Sequence, residues 1–124
     1  DLSARDLQFV SGQLLLGKTC DGFAPIGPCI VTADELDPNN LEIKCEVNGE
    51  IRQKSNTSDM IFDCASIISY ASKYMTLKPG DIIFSGTPSG VMLGYPEHQQ
   101  RWLKQNDKIT VYIEKIGSLV TILK

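Results

Sequence analysis

The clearest pattern in the chain is a strict alternation of apolar and charged positions. Leu41, Ile43, Cys45 and Val47 alternate with Glu42, Lys44 and Glu46, the period of two of a strand with one buried face. Asn48-Gly49 follows, a pair that accepts the positive φ angles of a type I′ turn, so Ile51 to Lys54 is expected to return antiparallel. Lys108 to Glu114 and Leu119 to Leu123 alternate in the same way around Gly117 and predict a final hairpin. Two shorter runs, Cys29 to Thr32 and Asp81 to Ser85, are apolar at their centres and suit short buried strands.

One stretch changes period. Met60, Ile61, Cys64, Ile67, Ile68, Ala71 and Met75 recur at spacings of three and four, which predicts a helix from roughly Asp59 to Tyr74 behind the capping types of Ser55 to Ser58. Asp1 to Gln8 reads as a loop entering a short helix, with Ser3 as its cap and Asp6 in the box position. Glycine and proline punctuate Gly12 to Pro28, and Gly86-Thr87-Pro88-Ser89-Gly90 forms a tight loop straight after an apolar run. The tally is about six short strands and one good helix. Helices do not alternate regularly with strands, so a doubly wound fold is excluded and an α+β, mainly β roll is expected.

Composition narrows the picture modestly. The 124 residues, 42% apolar and 22% charged, are one ordinary globular domain. No apolar run reaches the roughly 18 residues of a membrane span, and no signal segment opens the chain. A net charge of −3 without a basic stripe argues against nucleic acid as a partner. Cys20, Cys29, Cys45 and Cys64 fit no zinc spacing. They are expected as reduced, core-filling thiols in a cytoplasmic protein. The chain starts at Asp1 rather than Met, with a dense polar motif at once, and is expected to be a piece of something longer.

That motif, DLSARDLQ, brings two carboxylates, a guanidinium and an amide into about two helical turns. Arg5 and Gln8 would project together, and Asp1 could share their face if it joins the helix. Arg holds carboxylates through paired hydrogen bonds, and Asp is a hard ligand for Mg²⁺ or Mn²⁺. The same spacing also describes an ordinary helix start with a surface ion pair of about 0.3–0.5 kcal/mol. GQLLLGKT from Gly12 matches a phosphate-loop pattern, but no strand precedes it and three leucines would obstruct the anion nest, so Lys18 need be no more than a surface lysine. The Thr87 loop could present N–H groups to an anion or be a plain turn. His98, the only histidine, has no partner of its kind nearby and is expected to be exposed.

In order, DLSARDLQ, Gly17-Lys18, GPCIVTADEL, the VNGE hairpin, SDMIF and LKPGDIIFSGTPSGV resemble the C-terminal domain of the fumarylacetoacetate hydrolase family over essentially the whole chain. The tail from Gly94 onward resembles members with a G-Y-P…W-L-K insertion, among them 2-hydroxyhepta-2,4-diene-1,7-dioate isomerase and oxaloacetate decarboxylase-like enzymes. The resemblance implies a mixed β-sandwich roll. It implies a metal-dependent isomerase or tautomerase, decarboxylase or C–C hydrolase of small 2-oxo or β-diketo acids, working through a metal-chelated enolate. By the family motif Asp1 would be a metal ligand, for Mg²⁺, Mn²⁺ or Ca²⁺. Arg5, Gln8 and Thr87 would contact substrate, and Lys18 would be both substrate contact and catalytic residue. Family members pair as homodimers. The two glutamates that complete the family's metal site precede its aspartate, and nothing stands before Asp1 here. Residues 1–124 are therefore expected as one N-terminally truncated catalytic domain. The rival expectation is a non-catalytic binding or assembly domain that keeps the fold without the full metal site.

Overall fold

The computed structural model describes all 124 residues, Asp1 to Lys124. Its frame is one antiparallel sheet in the order β2-β1-β3-β4, made of β1 (Glu42–Val47), β2 (Glu50–Asn56), β3 (Lys108–Ile113) and β4 (Gly117–Ile122). Both expected hairpins form. Asn48 and Gly49 take φ of 53° and 84°, the left-handed pair that the first turn requires. At the second, Lys115 and Gly117 have φ of 63° and 110°.

Register puts the apolar set of the alternating strands together. Ile43, Cys45 and Val47 stand opposite Ile113, Val111 and Ile109, and Val111 in turn stands opposite Leu119, so like faces like across three strands. On the reverse face Lys44 opposes Tyr112, with its ammonium 5.4 Å from the ring centroid and 3.1 Å from Glu46. The β1–β2 ladder slips once. Cys45 pairs with Gln53 but Glu46 pairs with Ile51, which leaves Arg52 as the extra residue of a β-bulge.

The far end of the sheet is tied by a buried carboxylate. Asn48 donates from Nδ2 to Asp107 Oδ1 at 2.9 Å, and the Lys104 amide donates to Asp107 Oδ2 at 2.9 Å. Asn48 Oδ1 accepts from the Lys108 amide at 2.9 Å, so one side chain joins the β1–β2 turn to the entry of β3.

The α+β, mainly β class is as expected, but with fewer elements. The helix is α2, Cys64–Ala71, not Asp59 to Tyr74. Two caps compete for its start. Asn56 accepts from the Ser58 amide and closes a 3₁₀ turn over Thr57–Asp59, after which Met60 leaves in an extended conformation. Asp63 then starts the helix afresh by accepting from the Ser66 amide at 2.7 Å. Cys29 to Thr32 and Asp81 to Ser85 are not strands. An apolar run signals burial, yet a strand also needs a neighbour for its backbone groups, and none of these 124 residues supplies one. Ile30 is accordingly 96% exposed.

Leu41 and Ile109 are the only large apolar side chains that are buried, and Ile61, Phe62, Ile82 and Phe84 stand open. The four cysteines are free thiols, as expected, but not core residues: Cys29 is exposed and the others are half-buried.

Candidate active site

Two short turns cross to build the site. The first is α1, Arg5–Gln8, and the second is a 3₁₀ turn at Leu14–Gly17. The Ala4 amide donates to the Gly17 carbonyl at 2.9 Å, and the Leu2 amide donates to the Phe23 carbonyl at 2.9 Å. Gly17 makes the crossing possible. A Cβ there would lie 2.6 Å from Gln8 Cβ and 2.8 Å from the Ala4 oxygen, which no larger residue tolerates.

The crossing sets Lys18 against the first motif. Its ammonium donates to Asp1 Oδ1 at 3.0 Å. Arg5 donates through a terminal guanidinium nitrogen to Gln8 Oε1 and lies 5.8 Å from the Phe9 ring centroid. Gln8 is buried, 7% exposed. With its oxygen committed to Arg5, its NH₂ is left as a donor. Two local expectations change. The helix is capped by Ala4 without a side-chain bond, so Ser3 is not its cap. Asp1 stays outside the helix and pairs with Lys18 rather than sharing a face with Arg5, because the chain is still extended at Ala4.

Lys18 sits in a field that disfavours its charge. Burial lowers its pKa from the ordinary 10.5, and the neighbouring Arg5 guanidinium lowers it further. The Cys45 thiol is pushed up by burial.

Asp1 and Lys18 open into a cleft of about 620 Å³ shared with Phe23 and Phe84. Thr87 follows Phe84 by three residues. Gln53 Nε2 holds it, donating to Thr87 Oγ1 at 2.8 Å and to the Pro88 carbonyl at 2.7 Å. Gln53 stands opposite Cys45, so the Thr87 loop is held at the middle of the β1–β2 ladder. Arg5, Gln8 and Thr87 do not line the cleft itself. Phe23, Phe84 and Gln53 belong to this neighbourhood without having been singled out from the sequence.

No three His, Cys, Asp or Glu side chains cluster closely enough to hold a metal ion. Asp1 offers one hard oxygen donor, and a lone carboxylate does not hold Mg²⁺ or Mn²⁺. The residues present do not make a metal centre by themselves. The phosphate-loop match fails structurally as well: its core is a 3₁₀ turn with no strand before it. His98 is exposed, as expected.

Comparison with known proteins gives this geometry a family. The family described as Fumarylacetoacetate (FAA) hydrolase C-terminal matches residues 1–124, the whole chain. The chain belongs to the fumarylacetoacetate hydrolase family. Among its relatives, the mitochondrial oxaloacetate tautomerase Fahd2a of Rattus norvegicus is 48% identical over 97% of this chain and 38% of its own length. Among solved structures, a fumarylacetoacetate hydrolase from psychrophilic Exiguobacterium antarcticum superposes with a TM-score of 0.93 at 43% identity, over 98% of this chain and 43% of that one. The 2-hydroxyhepta-2,4-diene-1,7-dioate isomerase of Mycobacterium marinum gives 0.85 at 40% identity, over 98% and 44%. A maleylpyruvate hydrolase from Sphingobium sp. SYK-6, in complex with manganese(II) and pyruvate, gives 0.77 at 38% identity, over 90% and 39%.

These fumarylacetoacetate hydrolase relatives are named as enzymes of small keto acids. The chain spans less than half the length of each. No helix in it is long and apolar enough to cross a membrane.

Proposed function

We propose that these 124 residues carry the substrate-binding half of an enzyme active site for small 2-oxo or β-diketo acids. The observation that carries this reading is the Lys18–Asp1 contact at 3.0 Å on the wall of a cleft, with the Arg5–Gln8 pair on the adjoining turn. The roles follow from donor chemistry. Arg5 and the free NH₂ of Gln8 orient an acid group. The Lys18 ammonium, in a field that disfavours its charge, stabilises an enolate oxygen as negative charge develops there. The Thr87 hydroxyl and its loop hold the substrate carboxylate.

Asp1 is proposed as one oxygen donor to a divalent metal, with the remaining donors supplied from outside these residues. The manganese of the Sphingobium relative supports a divalent ion. Such an ion, when bound, supplies Lewis-acid polarisation of a carbonyl. Tautomerisation, decarboxylation and C–C hydrolysis share the enolate that Lys18 would meet. The rat and Mycobacterium marinum relatives favour tautomerase or isomerase chemistry. An aqueous compartment, cytoplasm or mitochondrion, suits such small charged acids. A homodimer is the assembly proposed, and the open apolar side chains at Ile30 and Ile61 suit further cover by protein.

The test is turnover of oxaloacetate and acylpyruvates by the full-length protein under Mg²⁺ or Mn²⁺ titration. Lys18→Ala is expected to lower kcat by about 10²-fold or more. Metal-independent turnover, or none, would remove the proposal. The rival reading is a binding or assembly domain that keeps the fold. In that case Lys18→Ala would leave partner binding intact and there would be no turnover to lose.

A further inference from the structure

Gln53 lies on β2, outside every motif discussed so far, yet its side chain is the one that holds the Thr87 loop. Its amide orientation is fixed by chemistry. The Pro88 carbonyl can only accept a hydrogen bond, so the side-chain atom 2.7 Å away is the nitrogen. That NH₂ has two hydrogens. The second goes to Thr87 Oγ1 at 2.8 Å. Thr87 is therefore an acceptor on the Gln53 side, and the hydrogen of its hydroxyl is left to point away from β2.

The loop cannot drift from this arrangement. Gly90 closes it with φ of 105°, and a Cβ at Gly90 would lie 2.1 Å from the Arg52 carbonyl oxygen. The loop thus rests on the backbone of β2 immediately beside Gln53.

We infer that Gln53 is a positioning residue: it holds the Thr87 hydroxyl with its proton turned away from β2 and so favours an anionic oxygen at that place. The inference rests on the proposed role of Thr87 in holding a substrate carboxylate. A hydroxyl free to rotate would offer lone pair or proton equally. One that already accepts from Gln53 keeps its proton and a single lone pair, with the proton turned away from Gln53, which favours an acceptor such as a carboxylate oxygen over a donor group. The effect belongs in binding more than in the chemical step, because Gln53 does not touch the reacting atoms.

The experiment uses the full-length protein with Mn²⁺ present. It measures oxalate binding by calorimetry, KM and kcat for oxaloacetate, and melting temperature. Gln53→Leu is expected to weaken oxalate and to raise KM by about tenfold, with the loss in KM rather than kcat. Gln53→Glu keeps the shape but turns the contact around, since a carboxylate would draw the Thr87 proton to itself. It is expected to weaken oxalate at least as much, and it decides the matter if Gln53→Leu melts early. Thr87→Val should give a similar loss, the double variant Gln53→Leu/Thr87→Val should add little to it, and Thr87→Ser should restore affinity.

Unchanged oxalate binding in both Gln53 variants overturns the inference, as does full additivity in the double variant or a Thr87→Val protein that binds normally. If Lys18→Ala and Thr87→Val weaken oxalate while the Gln53 variants do not, only the positioning role fails. If none of these variants alters oxalate binding, the functional reading of the site fails with it.

Discussion

Gly17 carries no side chain, and that absence sets the geometry around Lys18. Gly17→Ala forces a methyl to within 2.6 Å of Gln8 Cβ, and overpacking of this kind costs about 1–3 kcal/mol. Thermal unfolding should register the loss, and kcat/KM should fall further than stability alone explains, because α1 and Lys18 are pushed apart. Lys18 itself carries a sign. Its folded pKa lies below 10.5, so between that lowered value and 10.5 the unfolded chain holds more protons and stability rises with pH. Activity that needs the ammonium runs the other way and should fall with its midpoint below 10.5, a limb that a pH–rate profile measures. Much of this neighbourhood was legible at the residue level. The ordered motif pointed to Asp1, Arg5, Gln8 and Lys18, and the helical spacing of Arg5 and Gln8 gave their contact. The spacing had no means of giving the Asp1–Lys18 pair, because seventeen residues separate them and only the crossing at Gly17 joins them.

Among the elements, the two hairpins could be read directly, since alternation and an Asn-Gly turn are both local signals. The helix could not be bounded that way. Its apolar repeat runs from Met60 to Met75, but capping at Asn56 and again at Asp63 decides where hydrogen bonding starts. Eight residues are too few for a helix to persist without packing, and Ile68, Tyr70 and Tyr74 stand open. Amides of Ile67 to Ala71 should therefore exchange with solvent faster than those of β1 and β3, which native-state hydrogen exchange reads directly. Asp63→Ala should reduce the far-UV helical signal while leaving the sheet intact. The missing strands at Cys29 to Thr32 and Asp81 to Ser85 show the limit of a local pattern. Composition signals the wish for burial, whereas pairing depends on a neighbour that composition does not name.

For the molecule as a whole, acid is the telling variable. Hydrogen bonds from Asn48 and then from the Lys104 amide hold the Asp107 carboxyl below its ordinary 3.8. Asp59 and Asp63 are lowered in the same way by Ser55 and Ser66. A depressed carboxyl contributes stability above its unfolded pKa and loses it as pH falls through the folded value. The urea midpoint should accordingly drop below about pH 4, and Asp107→Asn should flatten that dependence. The 124 residues also leave large apolar side chains open on several sides. Prepared alone, they should bind hydrophobic dyes and associate as concentration rises, which light scattering would detect and which the longer protein should not share.

The slip at Arg52 has a consequence for counting. Numbered from the Asn48-Gly49 turn without the extra residue, Cys45 would face Arg52, and Gln53 would fall to the opposite side of the sheet. The bulge is a parity switch: residues on the turn side count from the hairpin, and residues beyond it count from Asn56. Loss of Arg52 would close the bulge and leave Gln53 opposite Cys45 in an unbroken ladder, so the face on which the amide stands would survive the deletion while the local twist of the bulge would not.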